Sequence, residues 1–303
     1  MNPWLSIVML SWRAHKTLRQ TLRTYSASGI PSCGDEFFVY FNQLCDEDRA
    51  CAAEFGVEAR GTGENLGIWG GMDAMAREAK GDQLLFLQND HLAVVPADAA
   101  AHWISRAREL ISGDRADIVL LFSRFERIPG WGTSHFFDYH PVRELDPRAD
   151  SSVRCFPPDW REDTLARRLH RFFRPDAALR HMHAGLYVER APDKVFARYV
   201  RREGDMYIAD SAVVPFTESP FMISKRLYLE LSGWCRLHPR KRKVNGAPVM
   251  EHALNCDWWR NRHFRIAFCD VGVFGHRRAD DSWRTDNVSY NPALSRAGSK
   301  EVR

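Results

Sequence analysis

The sequence has no Cys-x-x-Cys pair. Its seven cysteines are an odd number and are scattered along the chain, at positions 33, 45, 51, 155, 235, 256 and 269. A disulfide framework uses an even number of cysteines, and a structural zinc cluster commonly uses closely spaced pairs, so both are disfavoured. We expect reduced cysteines in a cytosolic protein.

Long apolar segments and a strong charge imbalance are also missing. The first apolar run, Trp4–Trp12, is too short to cross a bilayer and lacks the basic region that begins a secretory signal. The formal net charge of +4 over 303 residues does not indicate a nucleic-acid partner, which would need a concentrated basic face. We therefore predict a cytoplasmic protein, at most in peripheral contact with the inner face of a membrane, and no nucleic-acid partner.

The first 122 residues alternate two kinds of segment. Short apolar runs such as LSIVML and EFFVYF predict strands, and longer stretches with apolar residues three and four apart predict helices. In HKTLRQTLRTYS, for example, Leu18, Leu22 and Tyr25 share one helical face. Strands that alternate with helices are typical of βαβ units, so we predict an α/β fold with a mostly parallel sheet flanked by helices.

This alternation does not continue through the whole chain. From 124 to 210 it gives way to turn residues, aromatics and basic residues, which we interpret as an irregular insertion. Order returns after 211 with AVVPFTESPFMISKRLYLELSGW, then with a predicted helix PVMEHALNCDWWRN and a predicted strand FRIAFCDVGVFGH. We predict three parts, 1–123, 124–210 and 211–303, of which the first and last share one globular domain.

The run QLLFLQNDH ends on three polar residues. Its four consecutive leucine and phenylalanine positions, 84 to 87, suit a central parallel strand that is buried on both faces. Asn89, Asp90 and His91 then lie at the carboxyl end of that strand, and this edge of an open α/β sheet is where ligands bind. We predict that the three residues lie at the mouth of a site. The alternative for Asp90 is a helix N-cap or a turn residue.

Five segments follow one another in an informative order: SIVMLSW, ENLGIWGGMDAMAREAKGDQLLFLQNDH, TESPFMISKRLYLELSGW, VMEHALN and VFGH. Together they resemble family 2-type glycosyltransferases with the Rossmann-like GT-A fold, over roughly residues 4–123 and 211–278. The resemblance implies an inverting transfer of a sugar from a nucleotide diphosphate-sugar donor to a hydroxyl acceptor, assisted by Mn²⁺ or Mg²⁺. The acceptor would be a glycan, a lipid-linked glycan or a small molecule, and the insertion would select it or close over the donor.

The resemblance also implies metal ligands. Asp90 matches the D-x-D-like motif, His276 matches a late metal-binding histidine, and His91 is a further candidate. Imidazole suits Mn²⁺ better than Mg²⁺. The chain departs from the family pattern at Gln88, which stands where an acid is expected and cannot supply an anionic ligand.

The remaining site residues are implied in the same way. Glu251 resembles the base that removes the proton of the acceptor hydroxyl, and Glu218 is its rival. Glu218 and Ser219 belong to the segment that would line the acceptor and sugar pocket. The expected nucleotide-sugar contacts are Ser11, Trp12, Asn42, Asn65, Gly67, Asn89 and Asp90.

Two other functions stay open. A degenerate GT-A domain that binds nucleotide or glycan without turnover is consistent with Gln88 in place of an acid. A sugar nucleotidyltransferase shares the βαβ architecture, but it should carry a glycine-rich basic loop after the first strand, where LSWRAHKTLRQ has no glycine.

Three further features have ordinary explanations. Asp73 is interpreted as a solvated helix residue, with a base or sugar contact as the alternative. The HMH motif at 181–183 would place both imidazoles on one face of a strand, without a third zinc ligand in view. Residues 154–202 contain twelve Lys or Arg against six Asp or Glu, interleaved with aromatics; such a face could meet anionic lipid, a phosphorylated acceptor or nucleic acid, although solvated helix faces look similar.

Overall fold

The computed structural model describes residues 4–123, 138–140, 162–186, 191–239, 247–269 and 271–276. The chain divides into two compact units. Residues 1–122, 217–254 and 273–303 form the first unit, and residues 123–216 and 255–272 form the second. Much of the insertion predicted at 124–210 lies outside the described residues, and the three-part division stays a prediction. Every residue that we singled out for the site belongs to the first unit.

The described strands are short and are numbered in chain order. They are β1 (Leu5–Ser11), β2 (Glu36–Phe41), β3 (Glu58–Gly61), β4 (Gln83–Gln88), β5 (His91–Ala93), β6 (Ile118–Leu120), β7 (Val200–Glu203), β8 (Met206–Asp210), β9 (Phe221–Ser224), β10 (Arg265–Cys269) and β11 (Phe274–His276).

The described helices are α1 (His15–Ala27), α2 (Asp46–Ala53), α3 (Gly67–Glu78), α4 (Ala97–Ser112), α5 (Leu165–Phe173), α6 (Pro175–Leu186), α7 (Pro192–Val195), α8 (Lys225–Leu237), α9 (Met250–Leu254) and α10 (Asp257–Arg260). A single 3₁₀ turn covers Ile30–Cys33. Among these described helices, none combines the length and the apolar character that crossing a bilayer requires.

Six strands of the first unit form one sheet, in the order β3-β2-β1-β4-β9-β6. β1 pairs in parallel with β2 and β4, β2 pairs in parallel with β3, and β9 runs antiparallel to both β4 and β6. All of these strands except β9 therefore run in one direction. This arrangement confirms the predicted α/β fold with a mostly parallel sheet and flanking helices.

Continuous apolar runs form the centre of this sheet. All residues of β1 are buried, and in β4 only the last residue, Gln88, is partly exposed. Such runs are typical of strands that are covered on both faces. On α1, Leu18, Leu22 and Tyr25 are buried, as their spacing predicts.

Two segments differ from their predictions. PVMEHALNCDWWRN forms two helices, α9 and α10, because Asn255 turns its side chain to the backbone of Phe216: the Phe216 N–H donates to Oδ1 at 2.8 Å, and Nδ2 donates to the Phe216 carbonyl at 2.9 Å. Side-chain bonds of this kind compete with helix continuation. FRIAFCDVGVFGH likewise forms two strands, β10 and β11, with Gly272 between them at a φ of +83°.

The HMH motif lies in α6 and not in a strand, so that prediction is wrong. Ala178, Met182 and Leu186 are buried at intervals of four residues, which is the period of a helix. Residues two apart lie on different sides of a helix, so His181 and His183 do not share a face.

The second unit contains the antiparallel strands β10, β8 and β7, in that order. Among the residues of this unit that the structure describes, Trp259 is the largest fully buried side chain. The indole N–H of Trp259 donates to the Val214 carbonyl at 2.9 Å, and its ring meets Phe216 edge-on with centroids 5.5 Å apart.

Candidate functional site

The chain turns sharply where β4 ends. Asn89 and Asp90 form a two-residue turn between β4 and β5. The Asn89 N–H donates to the Leu10 carbonyl at 3.0 Å, and its side-chain Nδ2 donates to Ser11 Oγ at 3.4 Å. The turn is thereby attached to the end of β1, at the carboxyl edge where the sequence placed the site.

Helix α1, together with Ser28 at its carboxyl end, holds residues 89–95 by four side-chain hydroxyls. They come from Thr21, Thr24, Tyr25 and Ser28, a spacing that places them on one helical face. Their backbone partners, in the same order, are the Asn89 carbonyl at 2.5 Å, the Ala93 N–H at 3.0 Å, the His91 carbonyl at 2.7 Å and the Val95 carbonyl at 2.7 Å. Alternate residues from 89 to 95 are thus fixed against one helix. These hydrogen bonds were not predicted from the sequence, where their signal is a row of hydroxyl residues on a helical face whose apolar residues are buried.

We call these four hydrogen bonds between residues 21–28 and residues 89–95 the α1 clamp. Removal of one of the hydroxyls tests how much the clamp stabilises the protein. Tyr25 is fully buried, and its ring also packs against Phe274 with centroids 5.7 Å apart. In Tyr25→Phe the packing remains while the His91 carbonyl loses its donor, so we expect a loss of about 1–3 kcal/mol in the free energy of unfolding, measured by urea denaturation.

Tyr228→Phe is the matched control for Tyr25→Phe. The Tyr228 hydroxyl is also buried but has no hydrogen-bond partner among the described residues. We expect its removal to cause no loss in the free energy of unfolding, because no hydrogen bond is broken. Equal losses in the two variants would show that the clamp contributes nothing.

Asp90, His91 and His276 come together at the turn. β11 pairs antiparallel with β5, with His276 opposite His91, and this register brings His276 Nε2 within 3.1 Å of Asp90 Oδ2. The Asp90 side chain is 3% exposed, whereas that of His276 is 51% exposed. One ligand atom from each of the three residues lies within 4.8 Å of the others. The described residues therefore contain a group that could hold a divalent cation.

The donor set of this group suits Mn²⁺ well and Mg²⁺ less well, since it combines a carboxylate oxygen with imidazole nitrogen. The two histidines differ in their hydrogen bonds. His91 Nδ1 accepts the Gln88 N–H at 2.9 Å, so the neutral ring carries its proton on Nε2 and acts as a donor there. His276 approaches the carboxylate through Nε2 from the exposed side. Asp90 and His276 are therefore the better ligands.

Gln88 has a defined structural contact. Its Nε2 donates to the Glu218 carbonyl at 3.0 Å and so ties the end of β4 to the segment that precedes β9. A carboxylate at this position has no N–H to donate and would place its charge against a carbonyl oxygen. This contact gives a physical reason for an amide where an acid is expected.

The side chains of Glu218 and Glu251 each accept a hydrogen bond from the backbone of the other residue's segment. The Glu218 N–H donates to Glu251 Oε1 at 2.7 Å, and the Met250 N–H, at the start of α9, donates to Glu218 Oε1 at 2.9 Å. Burial and the nearby charge of Glu251 raise the pKa of Glu218 to about 8, against the opposing effect of the two backbone N–H groups of Met250 and Glu251. At neutral pH Glu218 therefore holds a proton.

The raised pKa of Glu218 predicts a pH-dependent stability. The unfolded chain releases this proton near pH 4.5 and the folded chain near pH 8, so folding takes up a proton between these values. The stability contribution is full below pH 4.5 and is lost as the pH rises through about 8. We expect the free energy of unfolding to fall across this window by on the order of 5 kcal/mol on account of this group, and Glu218→Gln to remove that slope. An unchanged slope in the variant would contradict the assignment.

Ser219 sits beside Glu218 and is partly exposed. Its N–H donates to Thr217 Oγ1 at 3.2 Å, and the two hydroxyls lie 2.8 Å apart. These contacts belong to a compact turn immediately before β9.

The expected nucleotide contacts lie around the start of α3. Asn65 Oδ1 accepts the Gly67 N–H at 2.8 Å, and Asn42 Nδ2 donates to the Gly67 carbonyl at 3.0 Å. Gly67 has a φ of +73°, and a Cβ there would lie 2.6 Å from the Cβ of Ala247. The space left by this glycine thus accommodates the protein's own chain, whereas the sequence interpretation reserved it for a ligand.

Two polar atoms near the ends of β1 and β2 are buried without a protein partner among the described residues. They are Trp12 Nε1 and Asn42 Oδ1. Buried polar groups are rarely left unpaired, so each is a candidate for a bond to a bound molecule or water.

Asp73 is neither solvated nor placed as a ligand contact, which corrects the sequence interpretation. It is 6% exposed, and its carboxylate accepts hydrogen bonds from Ser232 Oγ at 2.7 Å and Arg77 Nε at 2.8 Å, and from Arg236. These neighbours hold its pKa below the ordinary value, although burial acts in the opposite direction. Asp73 joins α3 to α8, and Trp69 extends the network by donating to Ser232 Oγ at 2.9 Å.

No family model and no curated protein matches the chain. Solved structures do match. The mannosyltransferase PcManGT from Pyrobaculum calidifontis, in complex with GDP-Man and Mn²⁺, is 13% identical over 40% of this chain and 35% of its own, with a TM-score of 0.34. Glucosyl-3-phosphoglycerate synthase from Mycobacterium tuberculosis, in complex with Mn²⁺, UDP and glucosyl-3-phosphoglycerate, is 13% identical over 98% of this chain and 79% of its own, with a TM-score of 0.45. S. aureus TarS 1-349 is 17% identical over 46% of this chain and 41% of its own, with a TM-score of 0.32.

The chain spans 35% of the length of the first of these proteins. At these identities the likeness concerns the fold alone.

Proposed function

We propose that this protein is a glycosyltransferase that moves a sugar from a nucleotide diphosphate-sugar donor to a hydroxyl acceptor, with inversion and with the help of Mn²⁺ or Mg²⁺. The observation that carries the proposal is the position of Asp90: a buried carboxylate at the carboxyl edge of the parallel sheet, 3.1 Å from a histidine that arrives from a distant part of the chain. Ligands bind at this edge in open α/β sheets.

Asp90 and His276 would hold the cation, and His91 would support them from the adjacent position as a hydrogen-bond donor through Nε2. When bound, the cation neutralises the negative charge that grows on the diphosphate leaving group. The α1 clamp fixes the backbone on both sides of Asp90. The Asp90 carboxylate is thereby held in position before the donor binds.

Glu251 would accept the proton of the acceptor hydroxyl as that hydroxyl attacks the anomeric carbon. Glu251 Oε1 accepts the Glu218 N–H at 2.7 Å, which fixes its carboxyl group beside the segment proposed to line the acceptor pocket. Glu218, which keeps its proton at neutral pH, is then suited to donate a hydrogen bond to a sugar or acceptor oxygen, with Ser219 beside it.

The donor's nucleotide would lie along the ends of β1 and β2. The buried Trp12 N–H and Asn42 Oδ1 support this placement, because a bound base or ribose can supply the partners that the described chain does not. Ser11, Asn65 and Asn89 complete the proposed contacts, whereas Gly67 packs against Ala247. Region 124–210 would select the acceptor, which is a glycan, a lipid-linked glycan or a small molecule. We also propose that the protein is cytoplasmic.

The test is a product assay on the full chain. The protein is incubated with a panel of nucleotide diphosphate-sugars and Mn²⁺, with water in place of the acceptor hydroxyl. Release of nucleoside diphosphate by this hydrolysis is followed by chromatography, with EDTA in a parallel series. We expect release from one or a few donors that EDTA abolishes. Release of a nucleoside triphosphate when pyrophosphate is supplied would instead indicate a sugar nucleotidyltransferase.

A degenerate domain that binds without turnover is the second candidate. It is favoured by Gln88, whose side chain is committed to the Glu218 carbonyl and leaves Asp90 as the carboxylate contributed by the β4–β5 turn. This candidate predicts saturable nucleotide binding that is independent of metal, and no release of product from any donor in the panel.

A further inference from the structure

Helix α5 turns its large apolar side chains outward. Leu165 is 71% exposed, Leu169 44%, Phe172 76% and Phe173 71%. The two phenylalanine rings also contact each other edge-on, with centroids 5.0 Å apart. These four residues, which we call the α5 apolar face, follow the spacing i, i+4, i+7 and i+8 and so share one side of the helix.

The opposite side of the same helix is polar and faces the protein. Arg167 is 6% exposed, and its guanidinium donates to the Glu162 carbonyl. Arg171 donates to the Tyr139 carbonyl at 2.5 Å and to Asp163 Oδ1 at 2.7 Å. These bonds fix the rotation of the helix, so the outward direction of the apolar face does not depend on the apolar residues themselves.

This arrangement is the reverse of an ordinary surface helix. A helix on a soluble protein turns its apolar stripe to the core and its charged residues to water. At about 100° per residue, the α5 apolar face covers a sector of roughly 100°, and Arg167 lies almost opposite its centre. A contiguous outward apolar face of this kind marks a surface that binds a partner.

The charges around the face indicate which partner. Helix α5 contains three arginines and one histidine and no acid, and Arg174 follows it directly. Arg168, whose side chain is 64% exposed, flanks the apolar face and shares Asp163 with Arg171. The longer segment 154–202 has twelve basic against six acidic residues. An apolar face bordered by arginine complements a surface that is apolar inside and negatively charged outside.

We propose that α5 is a docking element for anionic lipid bilayers. The helix would lie in the plane of the interface, with the two leucines and two phenylalanines at the boundary between headgroups and acyl chains. Arg168, which flanks this face, would extend toward the lipid phosphates. This attachment is peripheral, because a helix of nine residues is far too short to cross a bilayer. The proposal does not depend on the proposed glycosyl transfer.

Vesicle co-sedimentation of the full chain tests the proposal. The vesicles contain phosphatidylcholine alone, or phosphatidylcholine with phosphatidylglycerol in a ratio of about 7:3. We expect the protein to sediment with the anionic vesicles and far less with the neutral ones. The double variant F172S/F173S should lose at least about tenfold in affinity for anionic vesicles, since binding scales with the apolar area that is buried.

Leu237→Ser is the matched control, because Leu237 is 79% exposed at the end of α8 in the other unit. It should bind vesicles as the unchanged protein does, and all variants should keep the same thermal unfolding midpoint. No binding to anionic vesicles, or equal binding by F172S/F173S, would overturn the proposal. Concentration-dependent dimerisation that only F172S/F173S abolishes, without vesicle binding, would assign the face to a second copy of this chain and would also overturn it.

Discussion

Asp90→Asn is expected to reduce metal-dependent release of nucleoside diphosphate by at least about a hundredfold. The substitution keeps the size of the side chain but removes the buried negative charge beside His276. A bound cation contributes several kcal/mol of charge stabilisation in the transition state, and each 1.36 kcal/mol is a factor of ten in rate. Initial rates at saturating Mn²⁺ and at increasing Mn²⁺ concentration measure the loss.

The control for this variant is Asp98→Asn, which makes the same chemical change at an exposed acid in the first turn of α4. We expect it to leave the rate and the Mn²⁺ dependence unchanged. A rate for Asp90→Asn within a few-fold of the unchanged protein, in a variant that is fully folded, would remove Asp90 from the metal site.

Glu251→Gln is expected to lower the rate of transfer by about 10²- to 10⁴-fold, the usual contribution of a general base. Glu218→Gln should have a much smaller effect near neutral pH, because an uncharged amide resembles the protonated carboxyl that the raised pKa of Glu218 predicts. The two variants are compared in transfer assays at pH 7, with donor and acceptor both saturating.

The pH dependence separates the two carboxyl groups further. In the unchanged protein, ionisation of Glu218 near pH 8 adds a second charge beside Glu251, and the rate should change as the pH passes this value. Glu218→Gln should abolish that inflection. If Glu218→Gln is inactive at pH 7 while Glu251→Gln keeps its activity, the two roles are reversed.

The position of Asp90 could be predicted from the sequence because it depends on local information. Four consecutive apolar residues indicate a strand buried on both faces, and the residue types that follow mark its carboxyl end. The rule that ligands bind at that edge then does not require any knowledge of distant segments. The same local information explains why β1, β2, β4 and the apolar face of α1 were predicted well.

The contact between Asp90 and His276 could not be derived from local pattern. It depends on the pairing of β11 with β5 across more than 180 residues, and a shift of one residue in that register would turn His276 to the other face. The motif order pointed to His276 only through a family resemblance. The sequence offered no physical reason for an amide at position 88, where the resemblance leads to an acid. The hydrogen bond from Gln88 to the Glu218 carbonyl supplies that reason.

Asp73 was misinterpreted for a related reason. An acidic residue one turn into a helix is solvated unless a second element covers it, and the sequence does not show that α8 brings Ser232 and Arg236 against it. The helix that contains HMH was misassigned because two histidines two residues apart suggest a strand face. The apolar residues at intervals of four, Ala178, Met182 and Leu186, were the stronger signal for a helix.

Isothermal titration of nucleoside diphosphates shows whether Asp90 forms part of a cation-assisted nucleotide site. UDP, GDP and their relatives are titrated into the unchanged protein, into Asp90→Asn and into Asp98→Asn, each with Mn²⁺ and with EDTA. We expect at least one diphosphate to bind the unchanged protein and Asp98→Asn at least about tenfold more tightly with Mn²⁺, and Asp90→Asn to lose this difference. Equal affinity with Mn²⁺ and with EDTA, or an undiminished Mn²⁺ effect in Asp90→Asn, would show that Asp90 holds no such cation.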